Sequence, residues 1–275
     1  LAMMIGIFDD PGFRPDMIKV YPCSVIKNSE LYEWFKVGKY KAYPTEDLLR
    51  ILKEFKPHVP RYCRISRLIR DIPGQYIEDG NKVTNLRQVI QEQMKKEGKK
   101  CVCLRCREIS HVDISEIKDL TPHLFIDTYE TNGGREYFLS FEDKKRQVVF
   151  AFCRLRILGG GLSPLPRGNA RGLPSNTNTA LVDGKPPIVP LGKGDRFPFA
   201  AYIRELHTYG QLVKIGTQEK ESSQHKGLGK KLIIMAEKIT KKQGIEKIAV
   251  ISGVGVRDYY RHLGYELENT YMAKK

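Results

Sequence analysis

Two glycines one residue apart, Gly227 and Gly229, open an amphipathic pattern and restrict what this part of the chain can become. Apolar residues follow at Leu228, Leu232, Ile233, Met235, Ala236 and Ile239, the spacing of a helix with one buried face. The first N–H groups of a helix have no partner within it, and glycines keep side chains out of their way. The helix dipole adds partial positive charge there, so a phosphate or pyrophosphate is favoured. A glycine pair alone is a weak signal, and its neighbours must decide.

Those neighbours alternate. Residues 124–129 fit a strand, Asn132-Gly133-Gly134 a hairpin turn, and 135–141 and 147–157 two further strands. Residues 158–196, rich in Gly, Pro, Asn and Ser, fit a long mobile loop. A strand over 200–209 carries Glu205 and His207, and 212–215 fits another. After the helix come a buried strand at 247–251, a short helix at 254–262 with Tyr259 and Tyr260, and a closing strand at 265–271.

The first part alternates strands and helices. A strand covers 17–22 and ends at Pro22; helices are expected over 31–35, 45–55 and 85–95, the second capped by Thr45. Arg61, Arg64, Arg67 and Arg70 lie three apart, with Tyr62 among them. This series fits either a solvated face or a surface for RNA or phosphate. Cys101, Cys103 and Cys106 sit in a strand-like run from 101 to 109. Three buried strand cysteines are one reading. Alternation along a strand would split them between two faces, whereas three thiolates within six residues suit one zinc ion. The fourth ligand is expected from Cys23, with His111 second; an iron–sulfur cluster fits this spacing less well.

Composition narrows the partners. Lysine and arginine total 47 against 32 acids, a formal charge of +15 over 275 residues, which favours a nucleic acid over a merely solvated surface. No run approaches the roughly 18 apolar residues of a membrane span. Residues 1–8 are apolar but lack the basic start and cleavage site of a signal peptide, and the clustered cysteines suggest a reducing, cytoplasmic setting. Leu1 in place of Met suggests a piece of a longer protein.

The order of elements in the second part resembles the acyl-CoA N-acetyltransferase (GNAT) fold, whose pyrophosphate motif is matched by Gln224-His225-Lys226-Gly227-Leu228-Gly229. Nearly the whole chain resembles the catalytic subunit of Elongator. The matching runs include Phe13-Arg14-Pro15-Asp16, Lys19-Val20-Tyr21-Pro22, Arg70-Asp71-Ile72-Pro73, Asn85-Leu86-Arg87, Arg204-Glu205-Leu206-His207-Thr208-Tyr209-Gly210 and Tyr259-Tyr260-Arg261. The resemblance implies an α/β (α+β) architecture. The C-terminal part of a radical-SAM barrel would occupy 1–98, a zinc-binding linker 99–120 and an acetyltransferase domain 121–275.

It also implies acetyl-CoA-dependent carboxymethylation of the wobble uridine of tRNA, with other Elongator-like subunits or a homodimer as partners. The cysteine motif for the family's iron–sulfur cluster and S-adenosylmethionine would precede Leu1. A protein lysine N-acetyltransferase and a non-catalytic zinc and RNA-binding module are the alternatives. Carried over to these residues, N–H groups of Lys226, Gly227, Leu228, Gly229 and Lys230 would hold the pyrophosphate, and Gln224 and His225 begin the motif. Glu205, Leu206, His207 and Thr208 would meet the pantetheine arm. His207 would activate a water, Glu205 stands beside it, and Tyr259 or Tyr260 would serve the CoA sulfur. Lys19, Arg64, Arg67, Arg70, Lys99, Lys100, Arg105 and Arg107 are candidates for tRNA backbone contacts.

Overall fold

The protein is described here from a computed structural model covering residues 1–115, 117–159, 199–209 and 227–275. It divides into two compact units, Leu1–Val112 and Asp113–Lys275. The expected strand at 212–215 and most of the 158–196 segment lie outside the described residues.

The first unit runs α1 (Ala2–Asp9), β1 (Met17–Lys19), β2 (Val25–Ile26), α2 (Glu30–Lys36), α3 (Thr45–Phe55), β3 (Arg64–Arg67), β4 (Ile77–Asp79), α4 (Leu86–Lys96) and α5 (Leu104–Arg107). β1 and β3 pair in parallel, Ile18 opposite Ile65, while β2 and β4 are antiparallel. The helical stripes read from sequence form the core: Leu52 and Phe55 of α3 and Leu86 and Ile90 of α4 are fully buried. Phe8 of α1 stacks on Phe55, ring centroids 6.0 Å apart. Three local expectations change. Thr45 is the first helical residue after Pro44, not the cap, whereas Ser29 caps α2 by accepting from Tyr32 N at 3.2 Å. The cysteine run is not a strand but a bend leading into α5. It belongs to the first unit, since Leu104 N donates to Cys63 O at 2.8 Å.

The second unit is one seven-stranded sheet. In chain order it comprises β5 (His123–Thr131), β6 (Gly134–Glu142), β7 (Val149–Leu158), β8 (Ala201–Thr208), α6 (Leu228–Lys242), β9 (Ile248–Val250), α7 (Arg257–Arg261), β10 (Glu266–Glu268) and β11 (Tyr271–Lys274). The strand order is β10-β11-β9-β8-β7-β6-β5, and only β8 and β9 run parallel. The three-stranded meander expected from sequence is present. The expected closing strand is instead a hairpin, turned at Asn269 in the left-handed region (φ 56), which returns β11 against β9. Asparagine tolerates that conformation, so a turn forms there without glycine.

α6 lays Leu228, Gly229, Leu232, Ile233, Ala236 and Thr240 against the sheet. Among the described residues no helix is long and apolar enough to cross a membrane.

Close packing at Gly134 makes the β6–β7 register testable. A Cβ there would collide with the Ile157 carbonyl oxygen and come within 3.0 Å of Leu158 Cα. Gly6, in α1, has nothing within 4 Å of a Cβ. Thermal unfolding should therefore show Gly134→Ala destabilised and Gly6→Ala unchanged or stabilised by about 0.5–1 kcal/mol.

Candidate functional site

In the second unit the site begins where β8 outruns its partner. β9 pairs with Ala201, Tyr202 and Ile203 only, and one further bond runs from Ile251 N to Ile203 O. Among the described residues, β8 from Glu205 to Thr208 pairs with β7 and not with β9, which leaves a wedge between β8 and β9. Gly227, at φ 87, terminates α6 in a conformation that glycine adopts without strain, and Lys231 N donates back to Gly227 O. The N–H groups of Leu228, Gly229 and Lys230 therefore stand at the helix start without intrahelical partners. Gln224, His225 and Lys226 lie outside the described residues.

A register shift separates the β8 side chains. Leu155 faces Ile203 and Arg154 faces Glu205, so Arg204 is an extra residue in the strand. Beyond it, Leu206 and Thr208 point towards α6: a Cβ on Gly229 would lie 3.3 Å from Thr208 Cγ2 and 3.9 Å from Leu206 Cδ2. Glu205 and His207 take the opposite face. There Arg154, nearly fully buried, donates to Glu205 Oε2 at 2.8 Å, and its guanidinium lies over Phe138 and Phe152. His207 stacks on Phe152 at 5.7 Å, with Nδ1 4.0 Å from Glu205 Oε1. Four successive residues named together from sequence thus serve two sides of the sheet.

The tyrosines also divide. A Cβ on Gly229 would lie 3.2 Å from the Tyr259 hydroxyl, so Tyr259 stands over the start of α6. Tyr260 is buried and packs against Tyr259 and Tyr265. Burial raises the pKa of both, that of Tyr260 to about 12, and keeps each phenol protonated.

In the first unit the thiol sulfurs of Cys101, Cys103 and Cys106 lie within 4.8 Å of one another. Cys23 and His111 do not join them. Cys23 shares a side-chain hydrogen bond with Tyr40, and His111 stands 3.4 Å from Glu108. Sequence reading missed Lys56, which is wholly buried with Nζ 3.9 Å from Cys106 Sγ, and Gln91, whose Nε2 is 3.7 Å from the same sulfur. A lysine immediately after the end of a helix carries no signal that it turns inward. Hydrogen bonds from Cys101 and Cys103, then the Lys56 and Arg87 charges, pull the Cys106 thiol down to about 2. The same bonds push Cys101 upward.

The basic residues named from sequence differ in availability. Arg107 is buried; Nε donates to Val102 O and Nη2 to Arg61 O, both at 2.8 Å, so it ties the cysteine bend to the turn before β3 instead of facing solvent. Arg64 and Arg105 both pair with the buried Glu108. Arg67 pairs with Asp71, and Lys99 with Glu97. Lys19, Arg70 and Lys100 are exposed, and Arg70 lies over the Tyr21 ring.

Comparison with known proteins follows this geometry. Residues 15–96 match the family model described as the Radical_SAM C-terminal domain. A protein of Methanocaldococcus jannaschii named tRNA uridine(34) acetyltransferase is 41% identical over 99% of this chain and 46% of its own length. A Dehalococcoides mccartyi protein of that name is 37% identical, over 100% of this chain and 54% of its own. Elongator complex protein 3 of Danio rerio is 35% identical over 100% and 45%. Over nearly its whole length the chain is homologous to proteins named tRNA uridine(34) acetyltransferase and Elongator complex protein 3. It spans about half the length of these relatives. Among solved structures, the archaeal Methanocaldococcus infernus Elp3 with an N-terminal deletion matches 99% of this chain and 58% of its own, at 36% identity and a TM-score of 0.78. This mixed α/β, radical-SAM-related assignment is the one expected from the motifs, and the names lend nothing to the lysine acetyltransferase alternative.

Arg107 gives a test of the division between buried and available cations. Arg107→Ala removes two bonds to backbone carbonyls and should cost about 2–4 kcal/mol in urea unfolding.

Proposed function

We propose that this chain binds acetyl-CoA and tRNA and takes part in acetyl-CoA-dependent modification of the wobble uridine, in the cytoplasm. The observation carrying this reading is the junction of Gly229, Thr208 and Tyr259 at the start of α6, beside the wedge opened by β8. A pyrophosphate fits the first N–H groups of the helix, those of Leu228, Gly229 and Lys230; the missing Cβ at Gly229 makes room for Tyr259 and Thr208 at the helix start, and nothing stands within 4 Å of a Cβ on Gly227. The pantetheine arm lies along Leu206 and Thr208 and bonds the edge of β8 that β9 leaves open. Acetyl-CoA supplies an activated acetyl group. Tyr259 holds its proton and donates it towards the departing sulfur; Tyr260 supports it by packing. Across the strand, His207 accepts a proton from water, held by its stack on Phe152, while Arg154 fixes Glu205 beside it. Relatives named tRNA uridine(34) acetyltransferase support the acceptor.

The cysteine triad suits zinc. Tetrahedral Zn–S bonds of about 2.3 Å place sulfurs roughly 3.8 Å apart, compatible with three sulfurs within 4.8 Å. An iron–sulfur cluster distributes its cysteines over separate irons and spreads them further. Zinc would hold the bend between α4 and α5. An iron–sulfur cluster and S-adenosylmethionine, implied by the radical-SAM match, belong in this reading to the whole protein.

With the full-length protein, acetyl-CoA hydrolysis should rise at least tenfold on adding tRNA, and Gly229→Val should abolish it by crowding Tyr259 and Thr208. No stimulation by any tRNA would overturn the acceptor assignment. Zinc content measured by mass spectrometry should be one per chain and fall below about 0.2 in Cys103→Ser.

A further inference from the structure

Two side chains from outside the cysteine triad donate to one of its sulfurs, Cys106 Sγ. Lys56 stands where α3 ends and a single 3₁₀ turn over Lys56–His58 begins, with Pro57 inside that turn. Lys56 N still bonds Leu52 O, so the backbone continues the helix while the side chain is wholly buried, Nζ 3.9 Å from the sulfur. Gln91 lies on α4 beside the buried Ile90 and brings Nε2 to 3.7 Å of the same sulfur. Gln91 is exposed, so the sulfur receives one donor from the interior and one from the solvent side.

The surroundings are electropositive. Arg87, one turn before Gln91 on α4, gives Nη2 to the carbonyls of Ile65 at 2.8 Å and Ser66 at 3.3 Å. Its Nη1 is buried without a hydrogen-bond partner among the described residues. A backbone hydrogen bond from Ile65 reaches Cys103.

These groups suit a centre that is short of positive charge. Two positive charges on zinc against three thiolates leave one net negative charge, which is costly to bury without a counter-charge. A buried ammonium has the same difficulty with the opposite sign. Placed 3.9 Å apart, Lys56 and the Cys106 sulfur each offset the other's desolvation. Donors behind a metal's ligands also fix the direction in which the ligand atom points.

We propose that Lys56, together with Gln91, compensates the charge of a zinc–trithiolate centre and holds Cys106 Sγ towards the metal. The proposal rests on the zinc reading above. Lys56 and Gln91 are positioning residues, which act on the metal through Cys106. Neither is linked to the cysteines by spacing in the sequence; the packing of α3 and α4 beside the cysteine bend brings them there.

The test uses the whole chain and two measurements: zinc affinity by competition with a chelator, and the absorption spectrum with cobalt(II) in place of zinc. Lys56→Met, close in volume but unable to donate, should weaken zinc binding at least tenfold. Gln91→Leu, at an exposed position, should weaken it about threefold. In both variants the sulfur-to-cobalt charge-transfer band should move to longer wavelength, because a sulfur that loses a donated hydrogen bond gives up its electrons more easily. Lys95→Gln removes a charge from an exposed position of the same helix as Gln91, and should leave the band in place and the affinity within about twofold.

A buried lysine that only fills space would move neither the band nor the affinity, and that result with folded Lys56→Met would overturn the proposal. If circular dichroism shows that Lys56→Met does not fold, Gln91→Leu decides, and an unmoved band there overturns it. A loss in Lys95→Gln equal to that in Lys56→Met would assign the effect to overall charge and overturn it as well. Failure of the unaltered chain to bind zinc or cobalt would overturn the zinc reading itself.

Discussion

The parallel pairing of β8 with β9 stops after three residues, and the second unit is arranged around that stop. Had the two strands continued side by side, the N–H and C=O groups of Arg204–Thr208 would be consumed by a neighbour. The buried face of α6 could still pack on the sheet, but its first turn would look onto a closed surface. The early end of β9 at Val250 lets the chain swing into the segment carrying Tyr259, so the phenol returns to the start of α6. The wedge, the glycine-lined helix start and the tyrosine are consequences of one unmade set of hydrogen bonds.

The first unit depends on a different constraint, the disposition of buried charge. Glu108 is almost fully buried and gathers Arg64 and Arg105. Arg107 is drawn in by backbone carbonyls, and Lys56 by a thiol sulfur. A buried ammonium without a compensating partner is costly, so the thiolate character of Cys106 and the burial of Lys56 support each other. The strongly basic composition does not therefore translate into an evenly basic surface. Part of it is internal structure.

What was legible in the sequence follows this physics. Long amphipathic patterns such as Leu48–Leu52–Phe55 became helices, and the Asn132-Gly133-Gly134 turn joined β5 and β6, because local periodicity and turn chemistry dictate them. Gly229 as the place of close approach was also legible. The strand expected over 101–109 was not realised, because cysteine pattern says nothing about backbone direction when three thiols turn towards one point. Cys23 was expected as a ligand from its place after a strand end, yet the β2–β4 pairing holds that segment beside Tyr40. Arg107 and Lys56 were indistinguishable from surface cations because burial of a charge is decided by partners distant in sequence.

Arg204 has a consequence for how this strand is read. Up to Ile203 the odd-numbered residues of β8 face α6; from Glu205 onwards the even-numbered ones do. The extra residue is a phase shifter in a pattern of period two. Were Arg204 drawn into regular pairing, Leu206 and Thr208 would exchange sides with Glu205 and His207. The polar pair would then meet the helix start, and the apolar contact with Gly229 would disappear. One backbone irregularity thus fixes the polarity of both surfaces, although Arg204 itself lies on neither the helix start nor the histidine stack.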